Sequence, residues 1–172
     1  MVADGRPTAA ALYCPVRDEM FVASAGAGAF LGHERLSVSD TATLAGGRVA
    51  APGRLFDQDT ALAAGIVRAP KVHSLAYRLT LVAAGRVDAA AASSRAAHWD
   101  LAAADLLVHE AGGRLTDLAE RAVRYDGPDV RHPPLVAAGP QLLGAFAELV
   151  ATIIEAPKRP GQPPGPVAAA RS

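Results

Sequence analysis

Short apolar runs alternate with tight polar turns over the first 39 residues of the chain. The apolar runs cover residues 8–14, 20–24, 29–31 and 36–39. Pro15 and the polar group Arg17 to Glu19 separate the first two runs, and Gly32 and His33 separate the last two. Short runs divided by turns of this kind are typical of antiparallel strands. The pattern predicts a four-stranded meander, with Arg17, Asp18 and Glu19 in a solvated turn.

After Ser39 the pattern changes to strands that alternate with helices. We predict strands at 47–51, 87–92, 114–116 and 135–138, an extended piece at 70–73, and helices at 59–66, 75–84, from the residue after Asp100 to 111, and from Pro140 onward. Ser74 is expected to cap the second of these helices and Gly85 to end it. The last helix carries an apolar face of Leu142, Leu143, Phe146, Leu149, Val150, Ile153 and Ile154. This alternation indicates an α/β domain.

Three segments follow from these patterns. Residues 1–44 read as the remnant of an antiparallel-sheet domain, and residues 45–156 as a near-complete α/β domain. The stretch 157–172 is rich in Pro and Gly and is expected to be a disordered tail.

Composition narrows the function classes. Apolar residues make up 51% of the chain but aromatic residues only 5%, so the core depends on close packing of small side chains. Seventeen basic and seventeen acidic residues cancel, which argues against nucleic-acid or membrane-surface binding. Cys14 is the single cysteine and is expected to be a buried, inert thiol in a reducing cytoplasm. No apolar run reaches membrane-spanning length, so we expect a cytoplasmic protein.

Asp100 is the first candidate for chemistry, because it precedes a long apolar helix. A carboxylate there can cap the helix by accepting from its unpaired N–H groups. It can also serve as an oriented oxygen ligand for a hard cation such as Mg²⁺, and both roles can hold together. Its neighbour Trp99 is expected either to pack beneath the loop or to lie in the core.

Residues 99–113 contain a W-D-x-A motif and end in E-A-G-G. This stretch resembles the second signature of the inositol monophosphatase-like family of magnesium-dependent phosphomonoesterases. Residues 26–39 and 70–88 resemble further segments of that family, and the wording around His73 is similar to bacterial 3′(2′),5′-bisphosphate nucleotidases. The resemblance implies a layered sugar-phosphatase fold (α+β), a Mg²⁺ cofactor, and a small phosphorylated metabolite as substrate. That metabolite would be 3′-phosphoadenosine 5′-phosphate or an inositol monophosphate, and a homodimer is possible for such a chain.

The resemblance also assigns roles to single residues. Asp100 corresponds to a metal-ligating aspartate that lies near the substrate hydroxyl. His73 and Ser74 fall where the family has a small-residue turn lining the substrate pocket, with His73 in place of a glycine. The simpler alternatives are an exposed loop histidine for His73 and a helix cap for Ser74. Ala92 occupies a position where some members carry a substrate-contacting acid.

The family's remaining metal ligands come from an upstream Glu-rich segment and a D-P-x-D-G-T loop, and this sequence contains neither. Asp4 and Gly5 are followed by Arg6 and Pro7, which fits a turn better than a metal loop. We therefore expect the carboxyl-terminal portion of such an enzyme, without a complete catalytic set and inactive alone. The alternative is a non-catalytic fragment or pseudoenzyme that acts as a binding or dimerisation partner. Both the incomplete enzyme and the non-catalytic fragment should expose apolar strand surface.

Other candidate motifs have simpler explanations. The Gly26-x-Gly28 spacing lacks the helix of a dinucleotide loop. Asp105 and His109 are four residues apart on a helix and could ligate a metal, but a solvated intrahelical pair is the expected arrangement.

Overall fold

A computed structural model describes residues 1–56 and 59–155 of the chain. The strands are β1 (Val2–Ala3), β2 (Arg6–Pro7), β3 (Ala9–Cys14), β4 (Glu19–Ser24), β5 (Gly28–Leu31), β6 (Glu34–Arg35), β7 (Arg48–Ala50), β8 (Val67–Arg68), β9 (Ala89–Ala92), β10 (Ala96–Ala97), β11 (Arg114–Asp117), β12 (Arg131–His132) and β13 (Leu135–Ala138). The helices are α1 (Gly53–Phe56), α2 (Asp59–Ala63), α3 (Leu75–Ala83), α4 (His98–Glu110) and α5 (Leu143–Glu155). The expected tail at 157–172 lies outside the described residues.

The predicted meander is a four-stranded antiparallel sheet in the order β3-β4-β5-β6. Its first three strands are confirmed, but the fourth is wrong. The fourth strand is Glu34–Arg35, whereas residues 36–39 are irregular. They cross to the end of α4, where the Val38 N–H donates to the Ala111 carbonyl at 2.9 Å. The alternating apolar and polar residues 36–39 therefore connect two layers of the molecule and do not form a strand of this sheet.

The second sheet has the order β11-β13-β9-β7-β8. Its strand β7 is parallel to both β8 and β9, whereas β13 is antiparallel to β9 and β11. All four residues of both β9 and β13 are buried. Strands that carry apolar residues on both faces need cover on both sides, and here each face of the sheet is covered by helices.

Helices α3 and α4 lie between the two sheets. One apolar cluster joins Phe21 of β4, Leu79 of α3, Leu107 of α4 and Ala90 of β9. A second cluster lies on the other face of the five-stranded sheet and joins Val49, Val136 and Phe146 of α5. The molecule is therefore layered as sheet, helices, sheet, helices, and the predicted α/β class is confirmed. The division into segments at residue 44 stays a prediction, and the first cluster holds residues from both sides of it.

The glycine pair after α4 makes this layering possible. Gly112 has a φ of +88°, and its N–H donates to the His109 carbonyl while the Gly113 N–H donates to the Val108 carbonyl. These are the two bonds of a Schellman ending. A Cβ on Gly113 would lie 2.8 Å from Val38 Cγ1 and 3.0 Å from the Ala138 carbonyl oxygen. Gly113 therefore allows the crossing segment to approach the sheet.

Three details of the helices differ from the sequence predictions. Helix α4 begins at His98 rather than after Asp100, and α5 begins at Leu143, three residues beyond Pro140. Ile154 is 49% exposed and so does not belong to the buried face of α5. Among the described residues, no helix is both long and apolar enough to cross a membrane.

Candidate functional site

The directions of strands β7 and β9 place the predicted site residues at one edge of the five-stranded sheet. Because β7 and β9 are parallel, their carboxyl ends lie at the same edge. The end of α3 leads into the start of β9, and the end of β9 leads, through β10, into the start of α4. Both helices therefore begin at the edge where β9 ends. Ser74 and Asp100, at the starts of α3 and α4, therefore share it with His73. In open α/β sheets, ligands bind outside the carboxyl ends of the strands.

Ser74 caps α3 as predicted. Its Oγ accepts a hydrogen bond from the Tyr77 N–H at 3.3 Å, and its backbone has the extended conformation of a cap residue. The cap uses the hydroxyl as an acceptor, so its O–H stays available to a ligand. His73 precedes it, is exposed, and lines a cavity with residues that follow β7 and β8.

Asp100 is half-buried and is the third residue of α4, not the residue before it. The cap position is held by Ala97, whose N–H donates to Asp100 Oδ2 at 3.4 Å. The expectation that Asp100 is itself the cap is therefore wrong by three positions. The carboxylate reaches back to the chain before the helix, and the charge in the first turn is favourable to the helix dipole.

The loop before α4 is held by the short pair β10 and β12, in which Ala96 lies opposite His132. Trp99 is 68% exposed, with the Arg131 guanidinium carbon 5.4 Å from its ring centroid. Neither expected position of Trp99, beneath the loop or in the core, is correct. The ring that packs beneath the helix start is His98, which contacts Tyr125 and His132 with centroids 5.3 Å and 4.9 Å away.

A buried ion pair below these rings was missed by the sequence analysis. Asp105 is 1% exposed, and its Oδ2 accepts from Arg6 at 2.9 Å and from the Tyr125 hydroxyl at 3.1 Å. The expected solvated pair of Asp105 with His109 is therefore wrong. Burial raises the pKa of Asp105 despite the nearby Arg6, and burial together with Asp105 raises the pKa of Tyr125. The network fixes the aromatic cluster under the start of α4.

The donor chemistry at Asp100 suits Mg²⁺ only in part. A carboxylate oxygen is the ligand that Mg²⁺ prefers, but the ion takes six oxygens in octahedral geometry. Within residues 1–56 and 59–155, no group of three or more His, Cys, Asp or Glu side chains is placed to hold a metal ion. The described residues thus do not form a complete magnesium site by themselves.

A cationic cavity is the second feature that the sequence analysis missed. It has a volume of about 130 Å³ and lies where β7 and β8 end. Its charged or titratable lining residues are Arg68, Lys71, His73 and Arg78. A signal for it exists in the sequence, because the whole segment between Asp59 and Asp88 contains no acidic residue.

Comparison with known proteins gives a consistent result. The model of the inositol monophosphatase family matches residues 1–155. A Nus factor SuhB of Xylella fastidiosa is 31% identical over 160 residues, which are 87% of this chain and 58% of that protein. An inositol monophosphatase of Dictyostelium discoideum is 32% identical over 120 residues, 63% of this chain and 43% of that protein. The chain spans about half the length of these curated relatives.

Solved structures agree with the fold. The extragenic suppressor protein SuhB of Bartonella henselae has a TM-score of 0.73 at 28% identity, covering 87% of this chain and 61% of that one. An IMPase of Thermotoga maritima has a TM-score of 0.76 at 25% identity, covering 90% and 59%. The narrower resemblance to bisphosphate nucleotidases is not confirmed by these relatives and stays a prediction.

Proposed function

Because the chain belongs to the inositol monophosphatase family, we propose that it supplies one part of a Mg²⁺-dependent phosphomonoesterase site for small phosphorylated metabolites. The substrates proposed are 3′-phosphoadenosine 5′-phosphate or an inositol monophosphate. The observation that carries this proposal is the shared sheet edge at which α3 and α4 begin, with Ser74 and Asp100 at the two starts. In such a site, Mg²⁺ activates water and neutralises charge on the phosphate.

In this proposal the residues of the chain bind and orient. Asp100 contributes one carboxylate oxygen toward the cation, while its Oδ2 is held by the Ala97 N–H. Ser74 offers its O–H to the substrate, and His73 borders the adjoining cavity. A single carboxylate cannot fix Mg²⁺, so the chain on its own is proposed to lack turnover. Further carboxylates must come from outside the described residues.

A chimera tests whether this chain supplies one part of the site and other residues supply the remaining carboxylates. The part of the Dictyostelium discoideum inositol monophosphatase that aligns with this chain would be replaced by the matching residues of this chain. We expect Mg²⁺-dependent phosphate release from inositol 1-phosphate or 3′-phosphoadenosine 5′-phosphate. The Asp100→Asn variant should lower kcat/KM by a factor on the order of 100 or more, since it removes a charged group from the site. Asp40→Asn, an exposed acid near the opposite, amino ends of β7 and β9, is the matched control.

The same assay on the unmodified chain should give no phosphate release above background. Release that depends on Asp100 would show that this chain holds a whole site, contrary to the proposed incompleteness. A folded chimera whose activity is indifferent to Asp100→Asn would refute the role of that carboxylate.

A second candidate function is a non-catalytic binding or dimerisation partner. It is favoured by the outer face of the four-stranded sheet, where Tyr13, Met20 and Val22 are 51%, 45% and 37% exposed. This function requires that the chain associate through that face and that no phosphate release depend on Asp100.

A further inference from the structure

The cationic cavity contains a guanidinium that no described residue of the protein pairs. Arg78 projects from the first turn of α3 and is half-buried, and its Nε is closed off from solvent without a hydrogen-bond partner among the described residues. No ion pair within the described ranges involves Arg78, Arg68 or Lys71. Burial lowers the pKa of the Arg78 guanidinium. A buried donor that lacks a partner costs free energy, so its retention needs a compensating role.

The other cationic side chains surround the same space. Arg68 lies over the Phe56 ring, with its guanidinium carbon 5.0 Å from the ring centroid. This cation–π contact holds the side chain while leaving its edge free to bind. Lys71 and His73 are exposed and line the cavity from the segment before α3. None of the lining residues within 1–56 and 59–155 is acidic.

Size limits what this cavity can hold. Its volume of about 130 Å³ is well below the roughly 300–1,000 Å³ of pockets that hold whole drug-sized ligands. It fits one compact substituent. Arginine guanidinium groups bind phosphate oxygens through paired N–H donors, which adds directional strength to the charge attraction.

We infer that this cavity binds one tetrahedral oxyanion, a phosphate or sulfate group, which is a second anionic group of the substrate. The assignment of this anion to the substrate rests on the proposed phosphatase function and on the position of the cavity at the same sheet edge as Asp100. The substrate class is then a phosphomonoester that carries a further phosphate or sulfate, rather than a simple monophosphate. Arg78 is the central binding residue, and Arg68 and Lys71 add charge at the rim.

The first test measures anion binding by the full chain without Mg²⁺. Inorganic phosphate would be titrated by calorimetry at constant ionic strength, with chloride as the reference anion. We expect saturable binding of phosphate and sulfate, weakened about tenfold or more by Arg78→Met, which keeps an unbranched apolar stem but removes the charged guanidinium. Arg78→Lys should retain part of the affinity. Arg121→Met is the matched control, because Arg121 is an exposed arginine that pairs with Asp117 and is not among the residues that line the cavity.

Thermal unfolding separates binding from a structural role. Without phosphate, Arg78→Met should melt at the same temperature as the original chain or higher, because an unpaired buried cation has been removed. With phosphate, only chains that keep a charge at position 78 should gain stability. Phosphate binding no stronger than chloride, or binding that survives Arg78→Met, would overturn the proposal, as would a variant that unfolds.

The second test asks whether the anion belongs to a substrate. Inositol 1-phosphate and inositol 1,4-bisphosphate would be compared in the same titration. We expect the bisphosphate to bind at least several-fold more tightly, with the difference abolished by Arg78→Met. Equal affinities would leave the cavity as a site for free phosphate and refute the substrate assignment. Neither titration involves turnover, so a failure of the phosphatase proposal at Asp100 is recognised separately.

Discussion

At the residue scale, Asp88 shows how a buried carboxylate is kept charged. It is 6% exposed, and its two oxygens accept from the Arg48 N–H at 2.6 Å and from the Thr41 hydroxyl at 3.0 Å. Burial alone would raise its pKa, but these hydrogen bonds, one from Ser39 and the Arg48 charge outweigh burial, so the pKa is lowered. Asp88 thereby links the crossing segment to the starts of β7 and β9.

Asp88→Asn should lower the free energy of unfolding by about 1–3 kcal/mol at pH 7, because hydrogen bonds to a charged acceptor are weakened. A lowered folded-state pKa means that the stabilisation is complete above the unfolded value of about 3.9 and is lost as the pH falls through the folded value. The difference between the two chains should therefore shrink below about pH 4. Urea unfolding at pH 7, 5 and 3.5 measures this, with Asp40→Asn as the exposed control. A difference that does not change with pH would contradict the ionic explanation.

The sequence revealed single residues only where their partners are local. Ser74 was predicted as a cap because its partner, the Tyr77 N–H, is three residues away. Asp105 was misassigned because its partner Arg6 is 99 residues away in sequence. The spacing of residues along a helix cannot indicate such a pair, because the pair forms only when distant parts of the chain pack together. The same holds for Arg78, whose Nε has no partner in the part of the chain that the structure describes.

At the element scale, the end of α4 is tied to the four-stranded sheet by Glu110. Its two carboxylate oxygens accept from the Gly26 and Gly28 N–H groups, each at 2.8 Å. A negative charge at the carboxyl end of a helix is unfavourable to the helix dipole. The two charge-assisted hydrogen bonds offset this, and they give the Gly26–Gly28 turn a role that its spacing did not indicate.

Glu110→Ala should lower the free energy of unfolding by about 1–3 kcal/mol, because two backbone donors lose their partner. Glu110→Gln should have a smaller effect, since one amide oxygen remains as an acceptor. The matched control is Glu148→Ala, an exposed position on α5 where about 0.5 kcal/mol or less is expected. Hydrogen exchange gives a local measurement, in which the Gly26 and Gly28 amides should exchange faster in Glu110→Ala alone. Unchanged exchange at both amides would show that Glu110 does not hold the Gly26–Gly28 turn.

Elements with long or continuous apolar runs were predicted well, and short segments with a mixed pattern were not. The long buried helix and strands such as Leu135–Ala138 carry signals within their own residues. The segment 36–39 has the apolar pattern of a strand, but its hydrogen bond runs to the end of α4. The helical pattern placed Asp100 and Ser74 at helix starts, and the family resemblance assigned them to the substrate site. The parallel pairing of β7 with β9 brings these starts to one edge. That pairing is a property of the sheet and could not be deduced from either helix.

At the scale of the whole molecule, the four-stranded sheet is covered on only one face by the described residues. Its inner face packs on α3 and α4, whereas its outer face exposes cross-strand pairs such as Tyr13 opposite Met20 and Ala11 opposite Val22. Strand β3 is also an edge of this sheet. Contiguous exposed apolar surface next to an open strand edge favours association. The sequence analysis expected such a surface.

The chain should therefore self-associate through this outer face, and Val22→Lys should weaken the association by placing a charge in its centre. Sedimentation velocity over a range of protein concentrations measures the effect, with a shift toward monomer expected for Val22→Lys and more strongly for Met20→Lys combined with it. Ile154→Lys places the same charge on an exposed apolar position of α5 and should leave the association unchanged. A monomer at every concentration, or equal dissociation by Ile154→Lys, would show that this face is not where copies of the chain meet. Because the outer face of the sheet points away from α3 and α4, which carry Arg78 and Asp100, its association and the binding of phosphate at Arg78 should respond independently to these substitutions.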